Sequence, residues 1–326
     1  MPNDALLLRL NALRDADPSY SNGNSNSNHL PMVLAALHAL GAEPSRLDAF
    51  AETQRSLIRP LASGQFASRW ADFEAQIATD GRDAVLRREL PRLLEGVVTA
   101  AFHGLIRLAY GVRFGADAEV AAGLAVLSVF RREVALPSGA GSTGAAEGLR
   151  SLSQGTALAN AKFERPMIMG RLLEVLAHPA FLAAVPPLRI EKGADRAWHS
   201  LAVTAARLYR ATGDFTALHL ITSLHALSVL WPWIDAPEEV LQRYWLSFCA
   251  AYVAIGRPWP MAFRPLSGPL PAWEALRAAA IHSNDDHVIK LVDSCDALAQ
   301  AFDADTSELP ALLQACAAQV LQADTR

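Results

Sequence analysis

An all-α fold is what this sequence predicts, and three observations predict it. Apolar residues recur at helical spacing along almost the whole chain. Ala and Leu dominate, while strand-length alternation joined by turn pairs is scarce. The periodic segments begin or end at Pro, Gly or Asp, residues that start and stop helices. With 52% hydrophobic and 19% charged residues in 326, the chain can bury a large core, which excludes a disordered polymer. We expect one compact multi-helix domain over residues 1–326. A short flexible segment at about 19–28 and loops at about 137–148 and 256–271 interrupt it, none polar or long enough to be a free linker. Paired helices of about 15 residues also fit a solenoid-like stack, although no fixed repeat period is visible.

The elements follow in order. "DALLLRLNALRDA" places Leu6, Leu7, Leu10 and Leu13 on an amphipathic opening helix. "HLPMVLAALHALGA" has Pro31 in a first-turn position and Gly41 as its stop. "RDAVLRRELPRLLEGVVTAAFHGLIRLAYGV" reads as two helices, divided or kinked at Pro91. "AEVAAGLAVLSVF" is apolar nearly all round and predicts a buried helix. Three further helices are predicted by "RAWHSLAVTAARLYRATG", "DFTALHLITSLHALSVLW" and "PEEVLQRYWLSFCAAYVAIG". "DDHVIKLVDSCDALAQAF" and "ELPALLQACAAQVLQ" close the chain.

Charge and composition bound the partners. A net charge of -4 offers no electrostatic footprint for nucleic acid. The N-terminus meets charges before its apolar run can lengthen, so it does not read as a signal peptide. No stretch is read as reaching the roughly 18 uncharged apolar residues of a membrane span. Cys249, Cys295 and Cys316 are too scattered for a disulfide framework or a zinc cluster. The expectation is a soluble, cytoplasmic protein. Among 29 basic residues only Lys162, Lys192 and Lys290 are lysines, so a Lys in an apolar setting stands out.

Two patterns carry potential chemistry. "GAGSTG" at 139–144 matches the dinucleotide-binding glycine pattern, which needs a strand before it to turn the chain under a pyrophosphate. The residues before it look helical and include Pro137, so the loop reads as a helix–helix connection. The histidines are more telling. His29 stands at the lip of an apolar helix, where it is a cap, a surface residue or a ligand. His103 lies inside an apolar segment next to Gly104, which opens space. His219 and His225 share another; six residues of helix turn them about 120° apart, so they need not serve one site. His287 and Lys290 are three apart and therefore neighbours on one face. A single buried histidine is satisfied by a carbonyl. Several on different apolar helices each carry a desolvation cost, and metal coordination is one arrangement that satisfies them jointly. Lys290 is either paired with Asp285, Asp286 or Asp293, snorkelling, or desolvated; a desolvated amine is nucleophilic and reacts with carbon dioxide to give an anionic carbamate.

At these residues the sequence resembles the questin oxidase-like family. "SNHLPMVLAALHALGA", "AAFHGLIRLAYG", "LHLITSLHAL" and "DDHVIKLVDSC" are similar to its signature segments, in matching order, and the resemblance runs from about residue 15 to 300. Fungal members are associated with oxidative opening of anthraquinone-type and related polyketide rings, and are described as Baeyer–Villiger-type oxidases using NADPH. One ring-cleaving relative is understood as a non-haem iron dioxygenase with four histidines and a carboxylated lysine. Carried over by motif, the resemblance implies His29, His103, His225 and His287 as iron ligands, with His219 as the alternative and Lys290 as the carboxylated lysine. Asn28 and Asp286 are implied as supports behind the ligands. It implies an iron-dependent oxygenase that uses Fe(II) and O2 on a polycyclic aromatic substrate. The alternatives are a metal-free NADPH-dependent monooxygenase and a non-catalytic small-molecule-binding protein. Phe102, Tyr110, Trp231, Trp233, Trp259 and Phe263 are candidate walls for a flat ring.

Overall fold

In the computed structural model each periodic segment becomes a helix. The structure describes residues 3–19, 27–96, 99–133, 135–136, 141, 143–190, 193–262, 268–302 and 308–324. They form α1 (Asp4–Asn11), α2 (Leu30–Ala39), α3 (Pro44–Gln54), α4 (Gln65–Asp80), α5 (Arg82–Leu93), α6 (His103–Phe114), α7 (Asp117–Val129) and α8 (Ala145–Gln154). The second half adds α9 (Ile168–Ala177), α10 (Phe181–Ala184), α11 (Ala194–Thr212), α12 (Phe215–Leu230), α13 (Pro237–Ala254), α14 (Trp273–His282), α15 (Asp286–Ala301) and α16 (Leu309–Asp324). Among the described residues there is no strand, only three isolated bridges. The fold is an all-helical single domain.

Helix α12 lacks a polar face because almost none of it meets solvent: all of its residues but Phe215, Ser228 and Val229 are buried. With the 3-10 turn that follows, Phe215–Trp233 is long and apolar enough to cross a membrane by length and composition, which corrects the expectation that no stretch would be. Its surroundings explain the composition, since 72% of that window is buried inside the protein. It packs against α6, α11 and α15, and α2 packs against both α6 and α15. Helices α2, α6, α12 and α15 thus close a ring.

The α6–α7 contact is the most intimate in the fold, and two glycines permit it. A Cβ on Gly123 would stand 2.6 Å from the Leu108 backbone, and one on Gly111 2.6 Å from the Val120 nitrogen. The same pair of helices buries an Arg107–Glu119 ion pair, with Nε to Oε2 at 2.7 Å and Nη2 to Oε1 at 3.2 Å. Both oxygens of the carboxylate are engaged, which offsets the cost of desolvating two charges.

Two boundaries differ from expectation. The segment with Pro91 does not divide there: α5 runs two residues past the proline, and the break falls in the 3-10 turns Leu94–Gly96 and Thr99–Phe102. Proline removes one N–H, and the last turn of α5 absorbs that loss. Left-handed backbone at Ala101 (φ 52°) and Phe102 (φ 69°) then resets the chain. His103 is consequently the first residue of α6, not an interior one. In the stretch read as a loop at 137–148, α8 already begins at Ala145. Residues 137–140 and 142 lie outside the described residues, as do 20–26 and 263–267 of the other two loops. Of the glycine pattern, Gly141, Thr143 and Gly144 are described; the first two lie against Leu188 and Gly144 caps α8, with no strand before them among the described residues.

Candidate metal centre

Four helices direct their N-terminal ends at one point, and each brings a histidine. His29 is the N-cap of α2, and Pro31 stands in its first turn with a ring-fixed φ that suits the helix. His103 opens α6 directly after the left-handed Phe102. His219 lies one turn into α12, whose start is capped by Asp214 accepting from the Thr216 N–H at 2.6 Å. His287 is the second residue of α15, whose cap Asp285 accepts from the His287 N–H at 2.7 Å. The rings assemble into a closed set. His29 stacks on His103 with centroids 4.6 Å apart, and His103 meets His219 edge-on at 5.1 Å. His219 lies 5.4 Å from His287, and His287 lies 4.8 Å from His29.

The hydrogen bonds fix which nitrogen of each ring faces inward. Asp286 takes the Nδ1 of two rings: Oδ2 accepts from His29, and Oδ1 from His287 at 2.6 Å. The Nδ1–H of His219 donates to the Phe215 carbonyl at 2.8 Å. An acceptor on Nδ1 sets the tautomer in which Nε2 carries the lone pair, the form that binds metals. Nε2 of His219 and of His287 are buried and have no hydrogen-bond partner. Nε2 of His29 lies 2.7 Å from Nε2 of His103, so with Nδ1 of His29 already donating, a proton from His103 fills that gap. Ligand atoms of His29, His103 and His287 all fall within 4.8 Å of one another, a group that can hold a metal ion.

Electrostatics favour the neutral imidazoles such a site needs. Burial, with the charge of Lys290 adding to it, pushes His29 down to about 3 despite Asp286. Burial pushes His219 well below its ordinary value, and His287 adds to the effect. Burial opposes ionisation of Asp286, but hydrogen bonds from His287 and His29 outweigh it and hold the carboxyl below the usual range. Lys290, one turn beyond Asp286 on α15, is 2% exposed. Its burial lowers the amine to about 8, with Asp286 and Asp285 opposing.

His225 lies elsewhere. Its Nδ1 meets the Ser294 hydroxyl at 3.1 Å, and its ring stands edge-on to Tyr110 at 6.3 Å. Tyr110 in turn donates to Asp293 at 2.7 Å, which also receives Arg113 at 2.9 Å. The helical offset between His219 and His225 thus separates them: His219 joins the cluster, and His225 faces a polar network deeper between α6, α12 and α15. Asn28 accepts from the Leu30 N–H at 3.1 Å and donates to the Asp17 carbonyl at 3.2 Å. It therefore holds the turn that presents His29.

Beside the cluster is a cavity of about 840 Å³. His29, His103, His219 and His287 line it together with Met32, Val126, Phe130, Ile168, Met169 and Phe215. Among the described residues its aromatic walls are Phe130 and Phe215, not Phe102, Tyr110, Trp231, Trp233 or Trp259. Phe102 is instead packed in the core against Tyr244, Tyr110 is tied to Asp293, and Phe263 lies outside the described residues. Phe215 packs edge-on against both His287 (4.2 Å) and His219 (4.9 Å). Its position four residues before His219, one helical turn, is the signal in the sequence that marks it.

Fold and site together define an all-helical protein with a buried histidine group, suited to a metal ion and open to a cavity of ligand size. The chain belongs to the questin oxidase-like family, whose model matches residues 26–295. That span includes all four clustered histidines, Asp286 and Lys290. Family membership implies an oxidoreductase. No curated protein matches the chain.

Proposed function

We propose that this protein is a non-haem iron oxygenase that cleaves a carbon–carbon bond in a flat polycyclic aromatic or quinone-type molecule. One observation carries the reading: imidazoles from four helices share a cluster, and His29, His219 and His287 have Nδ1 committed to acceptors. The two unsatisfied Nε2 atoms are what a bound ion would satisfy. Imidazoles suit Fe(II) as they suit zinc, copper and nickel, and iron is the choice that fits the family's oxidoreductase class. His29, His103, His219 and His287 would hold it, and when bound it supplies the site at which dioxygen is activated.

The chain's own residues do the rest. Asp286 keeps two rings in orientation, and Phe215 covers two of them on one side. Met32, Val126, Phe130, Ile168 and Met169 form an apolar wall that takes a planar ring and excludes water. Lys290 as an ammonium has no lone pair. With its amine lowered to about 8, a neutral fraction is present near neutral pH. That nitrogen adds to the carbon of carbon dioxide and gives up a proton, leaving a carbamate whose anionic oxygens complement a cation. In this reading the partners are an aromatic small molecule and dioxygen, with neither nucleic acid nor membrane, and the place is the cytoplasm; the net charge of -4 supports the first exclusion.

Metal analysis of protein purified without chelator tests the proposal. Near-stoichiometric iron is expected, absent from His103→Ala and diminished in Lys290→Ala unless bicarbonate is supplied. With an anthraquinone-type substrate, isotopically labelled dioxygen should appear in a ring-opened product. A folded wild-type protein that takes up no iron after anaerobic reconstitution would sink the reading. Substrate-dependent NADPH oxidation by that metal-free protein would replace it with a monooxygenase.

A further inference from the structure

Among the described residues four carboxylate or guanidinium side chains line the cavity beside the cluster: Arg107, Arg171, Asp285 and Asp286. Three are committed. Arg107 is held by both oxygens of Glu119. Asp285 caps α15, accepting from the N–H groups of His287 and Val288. Asp286 takes two imidazoles.

Arg171 is different. It stands in the first turn of α9, and its Nε is buried with no hydrogen-bond partner. Its Nη2 lies 3.5 Å from the Thr216 hydroxyl, the outer limit of a hydrogen bond. The carboxylate one turn on, Glu174, pairs instead with Arg165 at 2.9 Å. Among the described residues no acid answers Arg171. A guanidinium that lines a partly apolar cavity with no acid paired to it among the described residues can take an anionic ligand. A guanidinium is a planar fork that receives a carboxylate in bidentate fashion, and Arg171 is the cavity-lining cation without an acid among the described residues. Its place in the cavity is informative too. Thr216 follows Phe215, whose ring lies against His287 and His219. The cation is therefore on the wall that adjoins the imidazoles.

We propose that Arg171 is a specificity residue that receives a carboxylate carried on the aromatic ligand, so that the substrate class is an aromatic acid. This rests on reading the cavity as the substrate site, and the cation selects the ligand independently of the metal. The probes are anthraquinone-2-carboxylate and its neutral carboxamide, nearly equal in shape. Binding of each is measured by titration, on protein as purified and after chelation, so that a carboxylate–metal bond cannot mimic the effect. Wild-type protein should bind the acid at least about tenfold more tightly than the amide in both samples. In chelated Arg171→Met the ratio should fall to near one with amide affinity unchanged, and Arg171→Lys should keep part of it.

A wild-type ratio near one, or a ratio that survives Arg171→Met after chelation, overturns the proposal. Equal loss of both ligands in Arg171→Met also overturns it, since that marks a structural role. Arg171→Gln provides a second variant should the first not fold. If neither folds, the wild-type ratio decides. An intact ratio in protein that never takes up iron would leave this inference standing and remove the metal reading; iron without the ratio does the reverse.

Discussion

The Asp286 carboxylate meets Nδ1 of His29, 257 residues away along the chain, while its other oxygen holds Nδ1 of its neighbour His287. One side chain thereby sets the tautomer of two rings on different helices. Removing it frees both imidazoles to rotate and to place a proton on Nε2. Asp286→Ala is expected to weaken metal binding about 10–100-fold while leaving the helical content intact. Titration with Fe(II) under anaerobic conditions, alongside circular dichroism, measures both. An unchanged affinity would show that Asp286 does not orient the ligands.

His219 and His225 should respond differently to the same substitution. His219→Ala removes a clustered imidazole and is expected to abolish stoichiometric metal binding. His225→Ala leaves the cluster and disturbs the Ser294–Tyr110–Asp293 network instead. It is expected to retain metal and to cost about 1–3 kcal/mol of stability, since a buried hydroxyl loses its partner. Metal content and denaturant midpoints of the two variants check this pair of outcomes.

The buried imidazoles make stability depend on pH. In the fold His29 and His225 are held down to about 3, His225 by burial and then by Arg113, and His219 is also far below its ordinary value. The unfolded chain takes up protons below about 6.5, whereas the folded one does not until near 3. Stability from these groups is therefore complete above about pH 6.5 and is lost as the pH falls toward 3. The limiting slope is about 1.4 kcal/mol per pH unit for each group. Urea midpoints of metal-free protein should fall steadily from pH 7 to pH 5. A flat profile over that interval would show that these imidazoles are not buried and neutral.

The α6–α7 crossing should tolerate no added carbon. Gly123→Ala would bring a Cβ to 2.6 Å from the Leu108 backbone, so one helix must move. The expected cost is about 1–3 kcal/mol, read as a lower melting temperature. Because α6 carries His103, metal affinity should fall with it. Gly41→Ala, where a Cβ meets nothing within 4 Å but φ is +92°, costs through backbone conformation alone and should spare the site.

Much of this was legible in the chain. Helical periodicity and the Pro, Gly and Asp punctuation predict an all-α domain, because burying one face of a helix repeats at 3.6 residues whatever it packs against. The same periodicity states that His219 and His225 diverge. It does not say which of them faces a site, because α12 is apolar on every side and its sequence marks no face. Motif and spacing therefore bring His29, His103, His287 and Lys290 to notice, while only packing places His219 with the first three and turns His225 toward Ser294. The start of α6 is a second such case: a left-handed Phe102 has no sequence signal, since Phe rarely adopts it, and the surrounding core imposes it. Arg171 is a third. Nothing local distinguishes it from the other arginines, because a missing partner is a property of neighbours brought from distant segments. The chain by itself determined which segments are helical and which side chains can bind a metal; only the tertiary structure decided which of them meet, since that depends on how helices far apart in sequence are turned against one another.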